Sequence, residues 1–169
     1  MNARRIAFAV ALLFVSMGSA QEDSAVEPEY FSVFYYLESS GQLTELERQI
    51  PAEVFRSSKV VFVIQGEKSK VRFKGDAKLL FAVRVTEDLD KAKATMQLFR
   101  FEGRNGTREL EGKIKQKVFA APSLALNTER YGRSSAKITP VKKLMPGEYC
   151  LTRNNIPQGF CFGVDALGN

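Results

Sequence analysis

A chain of 169 residues, 44% hydrophobic and 26% charged, with a formal net charge of +6, is long enough for one packed core that buries about two-thirds of its unfolded surface. It contains no His and no Trp. The missing His removes the commonest general base near neutral pH, every Ser-His or Cys-His nucleophile pair and every His-dependent zinc site, which excludes most familiar hydrolases.

The chain opens with Arg4 and Arg5, an apolar run from Ile6 to Val15 with Met17 beyond it, and then Gly18-Ser19-Ala20 ahead of the polar Gln21-Glu22-Asp23. Positive, apolar and small-residue regions in that order predict a secretory signal peptide over residues 1–20, cleaved near Ala20. The apolar run is far short of the ~20 residues of a spanning helix, so no transmembrane segment is expected after cleavage. No Cys lies near the cleavage site to carry a lipid, and no cofactor motif follows Arg4-Arg5 that would require folding before transport. General secretion, to a periplasm or the outside medium, is the expectation. Residues 21–29 hold Glu22, Asp23, Glu27 and Glu29 among Ser, Pro and Ala, the composition of an acidic flexible linker. From Tyr30 onward, 23 Lys and Arg stand against 15 Asp and Glu, so the single domain expected over residues 30–169 is distinctly basic.

Short apolar runs rich in β-branched and aromatic residues then recur about every ten residues, separated by Gly, Pro, Asn or charged turns, with no sustained helical period. Strands are predicted over Tyr30 to Glu38, Leu43 to Gln49, Lys59 to Gln65, Lys70 to Lys74, Lys78 to Thr86, Thr95 to Glu102, Thr107 to Lys113, Ser135 to Pro140, Glu148 to Arg153 and Gly159 to Asp165. Ser39-Ser40-Gly41 should turn the first pair, and Arg104-Asn105-Gly106 should close a hairpin, since Asn-Gly supplies the positive φ of a type I′ turn. Glu87, Asp88 and Asp90 suit one helical turn with its acids at the positive N-terminus; Asp88 and Asp90 also have the spacing of a calcium loop, but no Gly and no distal Glu completes it. Val118 to Arg133, with Pro122, Asn127 and Gly132, reads as a long crossover. The fold expected is all-β, a two-sheet Greek-key (Ig-like) β-sandwich, with a closed β-barrel as the runner-up.

Three constellations are candidates for a site. In the first strand Phe31, Val33, Tyr35 and Leu37 form one apolar face, while Tyr30, Phe34 and Tyr36 make the opposite face aromatic. That second face either receives a partner or is covered by the linker or the crossover. In the run from Lys68 to Lys74, Lys68, Lys70, Arg72 and Lys74 share one face. Beside Lys113, Lys115 and Lys117 they would form a strip for an anionic polymer; alternatively, the lysines protect an edge strand. Aromatics for base stacking are not interleaved, so nucleic acid is not expected as a partner. Paired carboxylates at Glu45 and Glu47, or Glu109 and Glu111, alternate on strands as a glycosidase needs, although charged alternation on a solvated face explains them as well. Ser134-Ser135 with Lys137 lacks the spacing of a Ser-X-X-Lys motif, and Asn105-Gly106-Thr107 is a formal glycosylation sequon already accounted for by the hairpin turn.

Towards the C-terminus, Leu144-Met145-Pro146-Gly147-Glu148-Tyr149 leads a turn into a strand that opens with tyrosine, as in the tyrosine corner of Ig-like sandwiches. Cys150 and Cys161 flank Asn154 to Gln158, and symmetric pairing about that loop sets their Cα atoms roughly 4.5 to 5.5 Å apart, within reach of a disulfide. Export makes the bond a staple; a redox pair, usually Cys-X-X-Cys at a helix start, is the alternative. The tail Pro146-Gly147-Glu148-Tyr149 with Phe160-Cys161-Phe162-Gly163-Val164-Asp165, together with Phe34-Tyr35-Tyr36-Leu37, resembles uncharacterised exported β-rich proteins of bacteria. The resemblance implies a bacterial envelope or secreted location and a β-rich fold, and it brings no activity and no site residue.

The expected function is therefore a binding or structural role at the bacterial envelope, without catalysis, cofactor or metal, towards an envelope protein, a polysaccharide or another anionic polymer. The alternative is a carboxylate-based hydrolase of cell-wall or extracellular glycan, which requires a concave pocket with two carboxylates about 5 to 10 Å apart.

Overall fold

The computed structural model describes residues 25–115, 118–153 and 158–167; the expected signal peptide, Lys117 and the 154–157 tip of the last hairpin lie outside the described residues. The elements in chain order are β1 (Phe34–Leu37), β2 (Leu43–Glu45), β3 (Glu47–Gln49), β4 (Ala52–Arg56), β5 (Lys59–Gln65), β6 (Arg72–Phe73), β7 (Phe81–Arg84), α1 (Leu89–Thr95), β8 (Met96–Arg104), β9 (Thr107–Lys115), β10 (Val118–Ala120), β11 (Ser123–Leu124), β12 (Leu126–Tyr131), β13 (Ser135–Pro140), β14 (Gly147–Arg153) and β15 (Gly159–Val164). One sheet has the order β12-β13-β7-β1-β2, and the other runs β3-β15-β14-β8-β9-β5-β4 with β10 beside β9, β11 beside β8 and β6 beside β15. Among the described residues the strands pair antiparallel except for β6 on β15, and an isolated parallel bridge joins Phe31 to Arg84. This is the expected all-β sandwich. The larger sheet curls without closing, and its path ends at β3 and β4 rather than joining them into a barrel.

The run Leu43 to Gln49, expected as one strand, divides at Leu46, which is buried in the core. β2 pairs with β1 in the smaller sheet and β3 with β15 in the larger, so this segment ties the two layers at a shared corner. Between the layers, Phe34 packs on Phe160, Tyr36 on Phe73 and Phe81 on Phe162, and within the larger sheet Tyr149 stacks on Phe162, with ring centroids 4.5 to 5.7 Å apart. Strand alternation sends Leu98 into this core and Phe99 into a second one on the concave face of the larger sheet, with Ile64, Phe101, Leu110 and both cysteines.

The segment expected as an irregular crossover contains β10, β11 and β12 instead. Its side chains are mostly exposed because β12 is an edge, so no apolar alternation marked it. The same holds for β4, whose five residues are all exposed at the other sheet's edge. The turns behave as expected: Asn105 at φ 46° and Gly106 at φ 82° close β8 onto β9, and Gly41 at φ 85° turns β1 into β2. Asp88 precedes a helix of seven residues, and Asp88 and Asp90 pair with Lys91 and Lys93 one turn on. The helix is held to the sandwich by Arg153 of β14, which ion-pairs with Glu87 and donates to Thr95 Oγ1 and Ser32 Oγ. Of the expected linker, residues 25–29 are described. Pro28 is buried, and Glu27 accepts hydrogen bonds from the backbone and side chains of the turn at residues 133–135.

Candidate functional site

Glu47, Arg108 and Glu148 lie on the concave face of the larger sheet, as the pairing of Cys161 with Glu47 and Cys150, and of Gly103 with Arg108, requires. β3 and β9 are separated by three strands in the sheet, yet its curl brings the Arg108 Nη1 to 3.0 Å from Glu47 Oε2 and 3.9 Å from Glu148 Oε2. Arg108 is only 1% exposed, and its Nε donates to the Gly66 carbonyl. Glu148 also accepts from the Ser69 N–H at 2.7 Å and from Arg72 Nη1 at 2.7 Å, and Arg72 donates to Asp165 as well. Gly163 beside Arg72 leaves the guanidinium its space; a Cβ there would collide with it. A linked chain of two arginines and three carboxylates thus fills the curl beside the second core.

This chain of ion pairs is what the glycan-hydrolase alternative has to use. The adjoining cleft, about 550 Å³, is lined by Glu67, Glu102, Glu148 and Asp165 together with Arg72 and Arg100. A general acid needs a carboxyl held above its ordinary range. Glu47 moves the other way: burial raises it, but hydrogen bonds from Ser69 and Arg108 bring it below the usual value. Hydrogen bonding to Arg72 holds Asp165 low too. The remaining pairs are separated or neutralised. Glu45 sits in the smaller sheet beside Arg48, Glu109 is bound by both terminal nitrogens of Arg56, and Glu111 pairs with Lys59.

The aromatic face does not form. Phe34 is fully buried and Tyr36 packs on Phe73 and Phe81, while Tyr30 is 56% exposed, because β1 is a central strand whose two faces are covered by neighbouring elements. Val33, Tyr35 and Leu37 on the other face are buried too. The basic strip does not form either. Only Arg72 and Phe73 are strand, β6 lies against β15 rather than β9, and Arg72 turns to its carboxylates while Lys68, Lys70 and Lys74 stay exposed on a bent segment. Cys150 and Cys161 are bonded across β14 and β15, with Cα atoms 4.0 Å apart and both residues buried, as a staple requires. Tyr149 donates its hydroxyl to the Met145 carbonyl at 2.7 Å and completes the tyrosine corner.

That corner shapes a surface the sequence pattern did not reveal. The Tyr149 bond fixes the loop from β13 to β14, in which Leu144 is buried and Lys142 and Lys143 are exposed. The loop lies beside the turn around Gly75, and together they form a cleft of about 330 Å³ with Leu79, Leu144 and Val164 in its wall and Lys74, Lys78, Lys142 and Lys143 around it. No acid lines it, and these lysines form no ion pair among the described residues, although Asp76 is on the same turn. Of the candidate binding residues predicted from sequence, Lys74 alone lines this cleft. The Lys142-Lys143 pair between apolar neighbours was the available signal. The chain matches no protein family, no curated protein and no solved structure.

Proposed function

We propose that the protein is exported and acts by binding an anionic component of the bacterial envelope, with Lys74, Lys78, Lys142 and Lys143 as its contact groups. The observation that carries this reading is four lysines converging on one cleft, with no ion-pair partner and no acid in its lining among the described residues. The disulfide supports an oxidising compartment, and the neutralised carboxylates of the larger sheet favour binding over glycan hydrolysis. The partner class that fits is an anionic lipid or an acidic polysaccharide.

The test is retention of the exported protein on heparin, a soluble polyanion. Lys142→Glu with Lys143→Glu should abolish retention at 0.1 M salt, whereas Lys68→Glu with Lys70→Glu, which changes net charge equally, should leave most of it. Equal losses in the two variants would reduce the effect to overall charge and remove the site.

A further inference from the structure

The loop that bears Lys142 and Lys143 also carries apolar side chains that a soluble polymer would leave in water. Val141 is 50% exposed and Met145 66%, on either side of the two lysines and the buried Leu144. A second cleft, of about 340 Å³, opens on the other side of the loop, lined by Arg100, Leu124, Val141, Met145 and Tyr149. It shares Pro140, Lys142, Lys143 and Leu144 with the lysine-rimmed cleft, and again no acid among the described residues lines it. One pair of lysines thus stands between two apolar clefts, with an exposed apolar side chain at each end of the loop. The exposed apolar residues of the β4 edge differ: Val54 and Phe55 sit between Glu53 and Arg56, a mixed-charge setting.

Basic groups around protruding apolar side chains match the two layers of an anionic lipid surface, whose phosphates lie above its acyl boundary. We infer that this loop enters the anionic leaflet of a lipid membrane. Lys74, Lys78, Lys142 and Lys143 meet lipid phosphates, Val141 and Met145 pass into the headgroup–acyl boundary, and the clefts flanking Lys142-Lys143 receive acyl-chain ends. The inference rests on the proposed contact face and names its ligand.

Flotation of the exported protein with vesicles tests it. Vesicles containing phosphatidylglycerol should carry the protein and pure phosphatidylcholine vesicles should not. Each lysine removed should weaken partitioning roughly fivefold, so Lys142→Glu with Lys143→Glu should lower it at least ~25-fold. Val141→Ser with Met145→Ser should lower it about tenfold through lost apolar insertion while heparin retention stays unchanged. Flotation insensitive to that second pair would overturn the inference. A protein retained on heparin through Lys142 and Lys143 but not floated by vesicles binds a polymer, which overturns the lipid inference and leaves the contact face standing. Failure on both probes would overturn both.

Discussion

At Arg108 a guanidinium is almost wholly buried, and its position is tolerable because Glu47, Glu148 and the Gly66 carbonyl all lie around it. Removing one member of a buried ion pair leaves its partner's charge without compensation, which generally costs about 3–5 kcal/mol. Arg108→Met should destabilise the protein by that amount in urea unfolding with the disulfide intact, and adding Glu47→Gln should recover part of it. A loss under about 1 kcal/mol would mean the curl is held by its apolar contacts alone. Glu27 gives a pH-dependent counterpart. Burial raises its pKa, but hydrogen bonds from Ser135, the Arg133 N–H and Ser134 outweigh this and lower it from 4.5 to about 2. A depressed folded pKa means a contribution that is present above the unfolded value and lost as pH falls through the folded one. The stability difference between the protein and Glu27→Gln should therefore be constant above about pH 5 and vanish between about 4.5 and 2; a difference unchanged at pH 2 would contradict the contact. Neither residue was legible in the sequence. Glu47 and Glu109 alternate alike on their strands, and only the curl of the sheet places the first beside Arg108 while the second meets Arg56.

Among the elements, the last hairpin joins several parts of the fold. β14 pairs with β8 on one side and β15 on the other, and its two faces supply Tyr149 and Leu151 to one core and Cys150 to the second. Pairing that brings Cys150 onto Cys161 leaves a short loop, so by chain entropy the bond adds on the order of 2–3 kcal/mol. Replacing both cysteines by Ser should lower the urea midpoint to match and make it indifferent to reductant; a midpoint unmoved by reductant in the unaltered protein would exclude the staple. This hairpin was legible because β15 is continuously apolar, β14 carries Tyr149, Cys150 and Leu151 in a row, and the cysteines are equidistant from the turn. β4 and β12 were not, because an edge strand with exposed faces carries no periodic apolar signal. The aromatic alternation is a strand pattern only over Phe34 to Leu37, where both faces are aromatic or apolar because both are covered in an interior strand between β7 and β2; Tyr30 and Phe31, ahead of Ser32 at φ 61°, stay exposed.

For the whole molecule, the excess of basic residues after Tyr30 was visible as a sum, but not where it gathers. Lys74 and Lys78 are more than sixty positions from Lys142 and Lys143, and only the sandwich sets the loop that precedes β14 beside the turn that follows β6. The proposed face is rigid at its base, since Leu144 is buried and the tyrosine corner ties Met145 to β14. Contacts there should be electrostatic in range and weaken with salt. Amide chemical-shift mapping of the protein, titrated with a short heparin-derived oligosaccharide, tests the location of that face directly. The shifts should concentrate at residues 77–79 and 141–144. Shifts concentrated instead at residues 68–70 or 30–31 would contradict it.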